Sequence, residues 1–125
     1  MDSKVLVVDD SMMVRQQVGA TLARAGFSIV EAQDGLDALT KLEVVSEVSL
    51  IVLDVNMPNM NGVELLERLR TDARHASIPV VMLTTEGQPR LMKQAKALGA
   101  KGWIVKPFKA DLLVAAVHRL TTRAA

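Results

Sequence analysis

Short apolar runs alternate along the chain with longer stretches in which apolar residues return every three or four positions. Val5-Leu6-Val7-Val8, Phe27 to Ala32, Leu50-Ile51-Val52-Leu53, Ile78 to Leu83 and Lys101 to Val105 are the short segments. Runs of this length that lack a polar alternation predict strands covered on both faces, as in a parallel sheet flanked by helices. Between and after them lie five helical stripes: Val14, Val18, Leu22 and Ala25; Ala38, Leu39 and Leu42; Leu65, Leu66 and Leu69; Leu91, Met92, Ala95 and Leu98; and Leu112, Leu113, Ala116, Val117 and Leu120. Ser11 suits the N-cap of the first, and Gly26 and Gly99 suit helix stops. Asp34-Gly35 marks a turn, Asn59-Met60-Asn61-Gly62 reads as loop, and Pro79 is the punctuation of a strand's start. Strand and helix therefore alternate five times, which predicts an α/β fold with a doubly wound five-stranded parallel sheet and five helices.

Composition narrows the picture without changing it. With 125 residues, 50% of them hydrophobic, the chain suits one domain spanning 1–125 around a sizeable core. No segment looks like a linker, a low-complexity tract or a repeat, and the ending at Ala125 predicts no separate output domain. Cysteine is absent, so disulfides and thiolate metal sites are excluded. The start Met1-Asp2-Ser3-Lys4 lacks a signal peptide's apolar region, and no run reaches membrane-spanning length, so the cytoplasm is the expected location. Seven methionines read as core filler. Net charge is +1, but residues 1–85 hold 7 Lys and Arg against 12 Asp and Glu, while residues 86–125 hold 8 against 2. A basic last third reads either as a binding face for an acidic partner or nucleic acid or, as the lack of interleaved aromatics favours, as an ordinary solvated surface.

The chemistry gathers where the strands end. In an open parallel sheet, ligands sit beyond the carboxyl ends of the strands. Asp9 and Asp10 follow the first strand, Asp54 the third, Thr84 the fourth and Lys106 the fifth. Each has an ordinary use as a cap, a strand end or a surface charge, but the coincidence of all of them is harder to dismiss. Converging carboxylates repel one another and call for a cation. Mg²⁺ favours such hard donors, and a backbone carbonyl near Asn56 suits its shell. Zinc is disfavoured, because there is no Cys and His75 and His118 lie far apart, both expected at the surface.

These residues resemble the receiver domain of two-component response regulators, and most closely its stand-alone, CheY-like chemotaxis members. The motifs carrying the resemblance are Val8-Asp9-Asp10-Ser11, Leu53-Asp54-Val55-Asn56-Met57-Pro58 with Gly62, Leu83-Thr84, and Lys106-Pro107-Phe108, and it covers residues 4 to 121. It implies a flavodoxin-like strand order of 2-1-3-4-5. It implies Asp54 as the phosphorylated residue, Mg²⁺ held by Asp10 and Asp54 directly, by Asp9 through water and by the Asn56 carbonyl, and Lys106 paired with the phosphoryl group. Thr84 would swing toward a phosphoryl oxygen and Trp103 inward behind it, with a cis bond before Pro107. Trp103 stands where Tyr or Phe is usual, so its inward turn needs more room, and simple packing between the fourth helix and fifth strand is the other reading. Thr85 is bulkier than the usual Ala and is expected to lengthen the phosphoryl lifetime.

The function so implied is a phosphoacceptor switch, not an enzyme beyond its own phosphorylation and dephosphorylation. A histidine kinase is the phosphodonor, and the fourth helix, fifth strand and fifth helix face a protein effector, such as a flagellar motor switch. A phosphatase is a further partner; nucleic acid and membrane insertion are not expected, and the chain is expected to be a monomer. A phosphorelay intermediate or phosphate sink is the alternative within signalling. A Mg²⁺-dependent aspartyl phosphohydrolase is the alternative outside it, disfavoured because 125 residues leave no cap over a substrate. Flavin binding is disfavoured by 2% aromatic content.

Overall fold

The computed structural model describes residues 3–57, 60–85 and 88–121. The chain runs β1 (Lys4–Val8), α1 (Met12–Arg24), β2 (Ser28–Ala32), α2 (Gly35–Val44), β3 (Val48–Asp54), α3 (Gly62–Arg70), β4 (Val80–Thr84), α4 (Pro89–Ala97), β5 (Gly102–Val105) and α5 (Ala110–Thr121). All pairings are parallel, in the order β2-β1-β3-β4-β5. The chain winds outward from β1 to β2, then crosses to the other side of β1 to lay down β3. The carboxyl ends of β1 and β3 therefore flank the point where the winding reverses, which is where such a sheet opens a crevice.

Side-chain alternation divides the core into two layers. Val5, Val7, Leu50, Val52, Val81, Leu83 and Ile104 pack with Val18 and Leu22 of α1 and with Leu113 and Val117 of α5. Leu6, Val8, Ile51, Leu53, Val80 and Met82 pack with residues of α2, α3 and α4. The central runs 5–8, 50–53 and 80–83, sandwiched in this way, are apolar throughout and show no alternation, whereas the edge strand β2 carries Ser28 and Glu31. Each fully buried Val, Leu or Ile contributes roughly 1.5–3 kcal/mol. Local signals agree with the tertiary ones. Ser11 Oγ accepts from Val14 N and caps α1, Asp34 accepts from Asp37 N and caps α2, and Asn61 and Glu64 form a reciprocal capping box on α3. Gly26 and Gly99 take positive φ just after α1 and α4.

Several expectations need correction. Gly62, read as loop, is the first residue of α3, and Asn61 just before it caps that helix; Pro58 and Asn59 lie outside the described residues. Met57, Met60 and Met82 fill the core, but Met12 and Met13 are 61% and 68% exposed. They occupy the first turn of α1, off the stripe of Val18 and Leu22 that faces the sheet. Ala25 ends up exposed as the C-cap residue of α1, and Leu112 is likewise exposed on the outer side of α5. His75 is buried at 8% exposure. The connection after α3 folds back, with His75 N donating to the Asp72 carbonyl, and His75 lines a small cavity together with Leu42, Val45, Val48 and Ile78. His118 is exposed, its ring edge-on to Phe27.

Candidate functional site

Four strand ends, those of β1, β3, β4 and β5, bring the predicted polar residues to one rim of the sheet. Asp9 continues the alternation of Val5 and Val7, Asp54 that of Leu50 and Val52, and Lys106 that of Ile104. All three therefore extend the α1/α5 layer past the ends of their strands, while Thr84, in step with Val80 and Met82, belongs to the opposite layer. Asp9 is fixed by three backbone-linked contacts: its N–H donates to the Ala32 carbonyl, its Oδ1 accepts from Ser11 N, and its carbonyl accepts from Arg15 Nη1 at 2.7 Å. Asp54, the last residue of β3, accepts from Asn56 N at 3.2 Å and from Lys106 Nζ at 3.0 Å, both on Oδ1. Lys106 is carried by the loop after β5, its own N–H donating to the Thr84 carbonyl, and the peptide bond to Pro107 is cis.

The ammonium of Lys106 bridges two buried acids. It lies 3.0 Å from Asp54 Oδ1 and 3.0 Å from Asp9 Oδ2. Its hydrogen-bond alignment favours Asp54, and Asp9 Oδ2 is left buried without a hydrogen bond. Asp10 joins from the exposed side, so that one carboxylate oxygen each from Asp9, Asp10 and Asp54 lies within 4.8 Å of the others. Burial, reinforced by the charge of Asp9, pushes the Asp54 carboxyl up to about 6, against the opposing pull of Lys106 and the Asn56 N–H. Burial alone would lower the Lys106 ammonium, but the hydrogen bond to Asp54 and the charges of Asp54 and Asp9 hold it above its ordinary value.

Thr84 is buried, and its hydroxyl points at the Thr85 carbonyl at 3.0 Å and at Gln88 Oε1 at 3.3 Å. Asn56 is brought close by its backbone, while its side chain turns outward to Gln88. Trp103 is half-buried against the α2/α3/α4 layer, directly across the ladder from Met82. Two contributors escaped the sequence reading. Arg15, besides holding the Asp9 carbonyl, pairs with Glu31 at 3.2 Å and so ties α1 to β2 beside the acids. Its only signal is a cation next to the apolar stripe of α1. Gln88, at the start of α4, sends no signal in the sequence.

A Lys-bridged acid cluster at the switch point of a 2-1-3-4-5 sheet is the architecture of the response regulator receiver domain, and the chain matches that family over residues 5–118 and belongs to it. Among relatives it is similar to chemotaxis protein CheY1 of Helicobacter pylori, 40% identical over 111 residues, or 88% of this chain and 90% of that one. The CheY homolog of Campylobacter jejuni is 38% identical over 111 residues, 88% of this chain and 85% of its own. Among solved structures, chemotaxis response regulator CheY4 of Vibrio cholerae superposes with a TM-score of 0.88 at 41% identity, covering 96% of this chain and 99% of that one. The chain is thus a CheY-like receiver. Among the described residues no helix is long and apolar enough to cross a membrane.

Proposed function

We propose that the chain is a phosphoacceptor switch of a two-component pathway, most simply a chemotaxis pathway, working as one receiver unit in the cytoplasm. The observation carrying this reading is the Lys106 ammonium held 3.0 Å from both Asp54 and Asp9 inside a three-carboxylate cluster. Both described bonds to Asp54 fall on Oδ1, which leaves Oδ2 to attack. In the transfer, an Oδ2 lone pair forms a bond to the phosphorus of a kinase phosphohistidine. The P–N bond breaks, and its electron pair stays on the imidazole. Lys106 neutralises the transferring oxygens, and catalysis is positioning plus electrostatics.

The donor set fits a hard divalent ion. Three carboxylate oxygens lie within 4.8 Å of one another, Asp9 Oδ2 is buried without a hydrogen bond, and every donor is oxygen. Mg²⁺ would be held by Asp10, Asp54 and the Asn56 carbonyl, with Asp9 acting through water; when bound, it supplies positive charge that offsets the phosphoryl oxygens. Thr84 then donates to a phosphoryl oxygen, and Trp103 follows inward. The output is a changed α4, β5 and α5 face, on which Arg90, Lys93, Lys96, Lys101, Lys109 and Arg119 are all exposed. Such a face suits an acidic segment of a protein effector, a flagellar motor switch being one option for a chemotaxis regulator.

The test is labelling with acetyl phosphate in Mg²⁺. Wild type should stop near one phosphoryl group per chain, and Asp54→Asn should take up none at that position. Multiple turnover of small phosphate esters would make the chain a phosphohydrolase instead, and labelling unchanged in Asp54→Asn would remove Asp54 from the role.

A further inference from the structure

Gln88 closes a clasp across the mouth of the acid pocket. Its Nε2 donates to Asn56 Oδ1 at 2.7 Å and its Oε1 accepts from Asn56 Nδ2 at 3.1 Å, so the two amides are reciprocally paired. The same Oε1 accepts from Thr84 Oγ1 at 3.3 Å and from Thr85 Oγ1 at 3.3 Å. The Oε1 of Gln88 faces the Asn56 Nδ2 and both threonine hydroxyls, while its Nε2 faces the Asn56 Oδ1. One side chain thus joins the loop after β3, the end of β4 and the N-cap of α4. Gln88 is the N-cap residue of α4 yet makes no side-chain cap bond. Its polar group is committed to the pocket instead of to its own helix.

We infer that Gln88 is a positioning residue that latches Thr84 and Asn56 in the resting arrangement and must release Thr84 when a phosphoryl group arrives. The inference rests on the phosphoacceptor reading of Asp54. A Thr hydroxyl has one proton, and here it is shared between the Thr85 carbonyl and Gln88 Oε1. Donation to a phosphoryl oxygen requires that both acceptors be given up. The oxygen of Gln88 has two lone pairs and three donors, so the bond to Thr84 is long and readily surrendered. Opening the clasp also frees the start of α4 from the loop after β3, which links occupancy of the pocket to the proposed output face. The latch therefore favours the resting state by the hydrogen bonds made only there.

The experiment is a calorimetric titration with beryllofluoride, a phosphoryl mimic, in excess Mg²⁺. Gln88→Ala should bind about fivefold tighter than wild type, the change expected from removing one to two weak neutral hydrogen bonds that binding must otherwise break. The exchange Asn56→Gln with Gln88→Asn rebuilds a reciprocal amide pair of the same combined length and should return the affinity toward wild type. Equal or weaker binding by Gln88→Ala overturns the latch, as does a double exchange no closer to wild type than the single variant. Asp54→Asn keeps the two readings apart. If wild type binds, Asp54→Asn does not, and Gln88→Ala matches wild type, only the latch fails. If Asp54→Asn binds like wild type, or wild type does not bind, the phosphoacceptor reading itself falls.

Discussion

Gly62 is the residue whose identity the site constrains most directly. A Cβ there would press on the Asp54 carbonyl oxygen and come within 3.0 Å of the Val55 Cα, and both neighbours are backbone. The Gly62 N–H donates to the Val55 carbonyl at 3.0 Å, so the two segments cannot part without losing that bond. Gly62→Ala is therefore expected to cost roughly 1–3 kcal/mol of stability, as overpacking does. It should also weaken beryllofluoride binding, because the displaced backbone is the one that carries Asp54. Urea denaturation and the calorimetric titration measure the two effects; a variant with wild-type values in both would mean that the loop simply moves aside. The acids, Thr84 and Lys106 were legible in the sequence because each ends an apolar run, and the topology brings those ends together. Gln88 and Arg15 were not, since an amide or a guanidinium that reaches across the fold leaves no periodic trace.

Elements were legible where burial follows a regular pattern, and their seams were not. The strands and the helical stripes come straight from the two-layer core, whereas the burial of His75 depends on how the connection after α3 folds back under β3. Two arginines at this end of the sheet make opposite cases. Arg70, half-buried at the end of α3, donates to the carbonyls of Leu98 at 2.8 Å, Ala76 at 2.9 Å, Ile78 at 3.2 Å and Gly99 at 3.4 Å, joining α3 to the end of α4 and the entry to β4. Arg74 reaches Glu43 at 2.8 Å and Asp72 at 2.9 Å in open solvent. Hydrogen bonds from a charged donor to sheltered carbonyls outweigh exposed ion pairs. Arg70→Ala should cost about 2 kcal/mol in urea unfolding, with Arg70→Lys recovering only part because an ammonium lacks the planar fork. Arg74→Ala should cost little, because the pair is exposed, and what it costs is present at neutral pH and disappears in acid: the Arg74 hydrogen bonds hold Asp72 down to about 2 from 3.8. The folded value lies below the unfolded one, so that contribution is complete above 3.8 and is lost as pH falls through about 2. Carboxyl NMR should find Asp72 titrating higher in Arg74→Ala; an unmoved titration would remove the ion pair from the account.

Across the whole molecule, the pocket and the proposed output face are joined through one layer of the sheet. Thr84 shares a strand face with Met82, Met82 sits across the ladder from Trp103, and Trp103 packs against the layer that Leu91 and Leu98 of the α4 region help to form. A movement of Thr84 toward the pocket withdraws volume from that layer on one side of Met82, and the half-buried indole is the large group best placed to fill it. Close-packed interiors do not leave such space empty without cost. Beryllofluoride with Mg²⁺ should therefore change Trp103 emission in wild type and leave Asp54→Asn unchanged, and Thr84→Ala should bind the mimic yet blunt the fluorescence change. The sole tryptophan makes the reading unambiguous. If Thr84→Ala gave the full wild-type response, Trp103 would be answering to something other than the threonine. The packing route through Met82 would then have to be abandoned in favour of a path along the loops.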